Sequence, residues 1–226
     1  MLDTLFEKYA RIVVLDTETT GIDCRTDEII ELAAVSLTPD GVEREMDDLI
    51  RLSAGRHLPP VIVNLTGITE AMLDGHGVEK RAAAERFVSF LQQEKTLVVA
   101  YNAQFDLCFL YYFLARLELA DALKGTKMLD AMTVYKDRRA YPHKLKNAIE
   151  AYGVLTQNTH RAVDDAKATY ELLLEMEKEE NDLHRYINLF GYNAKYGISG
   201  PRISSIRYAP QGSRGEGKLY AQPCMV

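Results

Sequence analysis

The chain is poor in the residues that would tie it to an oxidising or membranous setting. Three cysteines, Cys24, Cys108 and Cys224, are scattered over 226 residues, too few and too far apart for a disulfide framework or a zinc site. A reducing compartment is the expectation. No apolar run approaches the ~20 residues that a membrane span requires. The opening MLDTLFEKYA carries acids early and has no apolar signal core. The sequence therefore predicts a cytoplasmic protein with no membrane association. Excess positive charge is also missing. The net charge is -6, whereas bulk electrostatic capture of nucleic acid needs lysine and arginine set against phosphates. That excludes a simple phosphate-neutralising binder but leaves room for an enzyme that reaches phosphates through bound metal ions. Internal repeats and low-complexity segments are absent too.

What is present suits one sizeable folded unit. Hydrophobic residues make up 47% and charged residues 27% of the chain, ordinary proportions for a globular domain. Charge is unevenly spread. Residues 181–226 hold six basic side chains (Arg185, Lys195, Arg202, Arg207, Arg214, Lys218) against Asp182 and Glu216, a balance of +4 that leaves -10 on the remainder. A boundary near residue 181 follows, dividing a domain at 1–180 from a basic, Gly- and Tyr-rich tail at 181–226.

Periodicity orders the elements. RIVVLDTE reads as a first strand, and EIIELAAVSLTPDGVEREMDDLIRL as two strands around a TPDG turn, hence an antiparallel hairpin. LTGITEAML reads as a loop entering a short helix, with Thr69 as its N-cap. EKRAAAERFVSFLQQ is helical, with Ala83, Phe87, Phe90 and Leu91 on one face. TLVVAYN is apolar throughout, as a central strand is. FDLCFLYYFLARL predicts a helix, TKMLDAMTVYK a strand, KLKNAIEAYG a helix closed by Gly153, and AVDDAKATYELLLEMEKEE a last long helix. Strands in a meander, then strands alternating with helices, imply an α/β mixed sheet with helices on its faces.

The chemistry lies at the ends of these elements. Asp16 and Glu18 are separated by one residue, so period-2 geometry turns both carboxylates to one strand face. Two like charges that close repel unless a cation lies between them. Asn102, Phe105 and Asp106 follow the apolar strand in AYNAQFD, and THRAVDDA places His160 before a helix whose first turn carries Asp164 and Asp165. Sites of open α/β sheets form at such strand ends. Carboxylates gathered there suit Mg²⁺ or Mn²⁺, which prefer hard oxygen ligands and accept phosphate oxygens. Two such ions ~3.5–4 Å apart serve in-line displacement at phosphorus. A histidine of ordinary acidity suits the removal of a proton from the attacking water. Asp130, at the end of TKMLD, reads as a capping group and stays outside the site.

DTETTG, NAQFD and HRAVDDA resemble, in order and at ordinary separations, the D-x-E, N-x-x-F-D and H-x-x-x-x-D motifs of the DEDDh exonucleases, the family of replicative proofreading epsilon subunits. The resemblance covers roughly residues 9–177, and LTGIT at 65–69 is similar to the family's substrate-contacting loop. It implies a ribonuclease-H-like fold and two-metal 3′→5′ removal of nucleotides from a single-stranded or frayed DNA 3′ end. It also implies residue roles. Asp16 would bridge both metal ions, Glu18 and Asp165 would hold the one beside the nucleophilic water, and Asp106 the second; His160 would be the general base. Thr17, Thr19 and Ile22 would line the terminal nucleotide with Leu65 and Thr66 opposite, and Asn102 and Phe105 would shape the pocket. Asp164 and Asp165 point ~100° apart on a helix, so only one faces the ions; the histidine-type spacing selects Asp165.

Four questions stay open at this level. The basic run 136–146, with Arg138, Arg139, His143 and Lys144, either meets substrate phosphates or is a solvated connector. YINLF at 186–190 resembles the Q-L-x-L-F peptides that bind sliding clamps, through Ile187, Leu189 and Phe190 but with Tyr186 in place of glutamine. An apolar strip anchoring the tail is the favoured reading there, and tail contact with a polymerase or DNA is a third. RNA 3′-end trimming rivals DNA hydrolysis, since the motifs are shared and only 2′-hydroxyl contacts separate the substrates. A non-catalytic module binding nucleic acid or a polymerase is the rival of another class.

Overall fold

The computed structural model describes residues 2–156, 159–211 and 217–222; Arg214, Glu216 and Cys224 of the tail lie outside them. After a short helix α1 (Asp3–Phe6), five strands build one mixed sheet: β1 (Arg11–Thr19), β2 (Ile29–Thr38), β3 (Gly41–Leu49), β4 (Thr96–Ala100) and β5 (Lys127–Asp130). Their order is β3-β2-β1-β4-β5. The β1/β2 and β2/β3 pairs are antiparallel, while β4 runs parallel to both β1 and β5. The expected hairpin is β2–β3, closing with Thr38 opposite Gly41. The apolar TLVVA strand is interior as expected, although β1 rather than β4 holds the centre.

Alternation along β1 divides two cores. Ile12 and Val14 face a layer built from α7 (Leu145–Tyr152) and α8 (Ala162–Glu179), where Ala148, Ala166, Leu172 and Met176 are buried. Val13 and Leu15 face α4 (Lys80–Leu91) and α5 (Ala103–Ala115), through Phe87, Phe90, Leu107 and Leu110. Asp16 and Glu18 continue the first set, so both belong to the α8 side of the sheet. Gly153, left-handed at φ 66°, closes α7, as glycine permits without a Cβ clash.

Several elements differ from the sequence expectation. Residues 60–66 of the expected loop form a helix, α2 (Pro60–Thr66), started by Pro60 and ended by Gly67 at φ 72°; both are boundary residues that a loop reading passed over. Thr69 does cap the next helix, α3 (Glu70–His76), by accepting from the Met72 N–H. Only the first third of TKMLDAMTVYK is strand. Asp130 accepts from the N–H groups of Met132 and Thr133 and starts α6 (Ala131–Arg138), an N-cap outweighing the β-branched residues downstream.

Described residues beyond 181 pack onto this body. Leu189–Asn193 and Arg207–Gln211 form a two-stranded parallel sheet, β6 and β7. Tyr186 and Leu189 are buried in the α8-side core and Phe190 in the α5-side core. The YINLF strip therefore anchors this segment, and its apolar side chains are not available as an extended peptide. Arg138 is likewise inside, bonded to Asp182 at 2.5 Å and to the Met176 carbonyl, and Arg139 pairs with Glu179. Neither points a free guanidinium at a substrate phosphate. Among the described residues no helix is long and apolar enough to cross a membrane.

Candidate active site

Three chain segments bring the acids together. In β1, Glu18 stands opposite Glu31 of β2, and the register slips between Glu18 and Thr19, which ends the regular strand just past the two carboxylates. At the start of α5, Asn102 takes a left-handed conformation with φ 69°, which asparagine tolerates better than most residues. Asp130 holds that turn by accepting from the Asn102 and Ala103 N–H groups at 2.9 and 3.1 Å. Asp106 then projects inward, almost fully buried, and accepts a 2.8 Å hydrogen bond from the Thr17 hydroxyl. From α8 come two acids with different surroundings. Asp165 is buried, while Asp164 accepts from the Thr159 hydroxyl at 2.7 Å. One ligand atom each from Glu18, His160 and Asp165 lie within 4.8 Å of one another.

Electrostatics binds Asp16 and Asp106 to the same cluster. Burial, then Asp106, Glu18, Asp165 and Glu31, drive the Asp16 carboxyl well above the usual carboxylate range. Glu18 is pushed up to about 8 by burial and by Asp165, Glu31 and Asp106, with Arg161 opposing. Burial raises Asp106 to about 7, and the Thr17 hydroxyl works against that rise. Such a set of hard oxygen donors is starved of positive charge, and divalent cations of the Mg²⁺ type fit it by charge and by ligand chemistry.

The expected substrate residues divide in two. Ile22 is 89% exposed and Leu65 49% exposed. Arg56 donates to the Thr26 carbonyl and the Ser53 N–H to Glu28, so the loop before α2 lies against the loop after β1. Phe105, half-buried, stacks at 4.8 Å on Phe109, and Asn102 is exposed beside it. The threonines are buried and their hydroxyls engaged: Thr17 on Asp106, Thr19 on the Gly21 carbonyl, and Thr66 on the Ile62 carbonyl. None of the three leaves its hydroxyl proton free.

Sequence reasoning passed over Glu31, Arg161 and Asp47. Glu31 is wholly buried in β2 and bonded to Arg161, and Asp47, raised to about 6 by burial and Glu31, lies within reach of the same group. A glutamate inside the apolar run EIIELAAV was the available signal, because acids are seldom buried without a partner.

A mixed five-stranded sheet flanked by helices, with acids converging from β1, α5 and α8 beside a histidine, defines a DnaQ-like DEDD 3′→5′ exonuclease. The chain belongs to the exonuclease family RNase_T, whose sequence profile matches residues 13–173. It is 34% identical over 176 residues to a PolC-type DNA polymerase III of Thermotoga petrophila and 34% identical over 191 residues to that of Clostridium perfringens. These alignments cover 76% and 81% of this chain but 12% of each polymerase, so the chain spans about an eighth of those relatives. In structure it is similar to exonuclease I of Escherichia coli, in a zinc-bound complex with single-stranded DNA, with TM-score 0.71 and 21% identity over 79% of this chain and 42% of that one. Exonuclease I of Methylocaldum szegediense superposes with TM-score 0.69 and 18% identity, over 78% of this chain and 42% of that one.

Proposed function

We propose that the chain is a metal-dependent 3′→5′ exonuclease that removes nucleoside monophosphates from single-stranded or frayed DNA 3′ ends, in proofreading or repair. The observation that carries this reading is the convergence of Glu18, His160 and Asp165 within 4.8 Å beside the half-buried Asp16 and the buried Asp106. Asp16, Glu18, Asp106 and Asp165 would hold Mg²⁺ or Mn²⁺; cations of this kind neutralise phosphate charge and make a water more acidic. His160 takes the proton as the water oxygen bonds to phosphorus, and the bond from phosphorus to the preceding 3′ oxygen breaks. Ile22, Leu65 and Phe105 offer apolar faces to the terminal nucleotide, a contact that tolerates any base. The PolC-type relatives support a role beside a polymerase, and the exonuclease I neighbours support DNA as substrate.

The test uses matched 3′-labelled DNA and RNA oligonucleotides, single-stranded and with mismatched ends, in Mg²⁺ and in Mn²⁺. Release of mononucleotides from DNA, lost in His160→Ala with metal affinity retained, is the expected result. A tenfold preference for RNA would make the chain an exoribonuclease. DNA binding without hydrolysis would make it a binding module.

A further inference from the structure

We propose that Glu31, acting through Arg161, is a positioning residue for His160. The inference rests on the exonuclease reading, because His160 matters to chemistry only there. Glu31 lies in β2, a strand paired on both sides, opposite Glu18 on one and Leu49 on the other. It is completely buried. One of its oxygens accepts from Nε and Nη2 of Arg161 at 2.8 and 2.5 Å, and the other accepts from the Ala162 N–H at 2.7 Å. Both oxygens are thus committed to the two residues that follow His160. An arginine fork gripped this way has a fixed orientation that a lysine could not reproduce.

On the other side, the Thr159 N–H donates to Asp165 at 3.2 Å and its hydroxyl to Asp164 at 2.7 Å. His160 stands between these two sets of bonds with φ 56°. A left-handed histidine costs about 1–2 kcal/mol and persists only where its surroundings impose it. Here Glu31 fixes the exit of the turn from the sheet, while α8 fixes the entry from its own first residues. The ring of His160 is aimed at Glu18 and Asp165 because its backbone is pinned at both ends. Glu31 is the sheet-side pin. Its carboxylate is spent on this task and is not a free ligand beside Glu18.

The experiment uses the full chain with Glu31→Gln, which keeps the shape, and Arg161→Ala, whose missing group added guanidinium can replace. Three readouts are taken: kcat and KM on single-stranded DNA, the double-mutant cycle with His160→Ala, and the imidazole NMR signals of His160. A fall in kcat of about 10- to 100-fold with KM unchanged is expected, together with partial recovery of Arg161→Ala by guanidinium. On the His160→Ala background, Glu31→Gln should cost less than twofold, since the pin has nothing left to aim. The imidazole signals should shift or broaden in both variants. Unchanged imidazole signals, or full additivity in the cycle, would overturn the proposal. An inactive wild type with normally perturbed imidazole signals would sink the exonuclease reading and leave the pin standing.

Discussion

Replacing Glu18 by glutamine should stabilise the protein at pH 8 in a chelator and do nothing at pH 5. The carboxyl is raised from 4.5 to about 8 by burial and by its acidic neighbours. The folded state therefore binds this proton more tightly than the unfolded chain does. Stability from the group is fully present at low pH and is lost as pH climbs through the window from about 4.5 to about 8. At 1.36 kcal/mol per pH unit the whole displacement is worth about 5 kcal/mol. Glu18 keeps part of its surface in water, and solvent screening brings a realistic figure to about 2–3 kcal/mol. For a chain of this size each kcal/mol moves Tm by about 2–4 °C, so glutamine should raise Tm by about 5–10 °C at pH 8. Asp16 and Asp106 are raised in the same sense, so the wild type itself should melt lower at pH 8 than at pH 5.

The assay is thermal melting of wild type and variant across pH 5–8, in chelator and then in Mg²⁺ or Mn²⁺. A cation that binds the folded state at a hundred times its Kd adds about 2.7 kcal/mol, which should restore the wild type at pH 8 and help the variant less. A wild-type Tm that stays flat or rises from pH 5 to pH 8 in chelator, or a variant that melts below wild type at pH 8, would refute the reasoning. Either result would mean that the carboxylates are compensated by groups already within the fold.

Asp165→Asn should lower kcat/KM by about 100- to 1,000-fold, whereas Asp164→Asn should stay within a few-fold and cost about 1 kcal/mol through its Thr159 bond. Equal losses, read from nucleotide release, would show that the wrong first-turn acid has been assigned to the cations. Phe190→Ala should cost about 3–5 kcal/mol in urea unfolding, the usual range for deleting a buried aromatic side chain. A loss under 1 kcal/mol would mean that the YINLF strip is loosely seated and free to serve a partner.

The architecture was legible because period and punctuation agreed over long stretches. The TPDG turn gave the β2–β3 hairpin, and unbroken apolarity gave an interior β4. Legibility failed where one capping residue outvoted the run behind it, as at Asp130, where β5 stops and α6 begins. It failed again at α2, whose seven residues are too few for a period and are marked only by Pro60 and Gly67. Of the candidate site, the motifs named Glu18, His160 and Asp165, which the structure brings together, while Ile22 and Leu65 came from the family resemblance alone. The engaged hydroxyl of Thr17 was not legible, because a hydrogen bond across 89 residues to Asp106 leaves no trace in local spacing. The pairing of Glu31 with Arg161, 130 residues apart, was invisible for the same reason, although a glutamate inside an apolar run marked Glu31 itself.

Buried acids in this protein separate by what their oxygens already hold. Asp130 is almost fully buried and takes donors from Asn102, Ala103, Met132 and Thr133; every lone pair it can offer is structural. Glu31 is buried more deeply and is filled by Arg161 and Ala162. Glu177 accepts from the N–H and hydroxyl of Thr4 through one oxygen and so ties α1 to α8, while its other oxygen is buried without a partner. Asp16 and Glu18 differ in kind. Burial and other carboxylates dominate their surroundings, and Arg161 alone opposes the repulsion on Glu18 among its leading influences. A fold that satisfies Asp130 so completely has the means to satisfy an acid where structure requires it. Leaving Asp16 and Glu18 in mutual repulsion costs stability, and such a cost persists where the arrangement serves a ligand of opposite charge. That contrast, more than the number of acids, is what singles out the end of β1 as the candidate catalytic site.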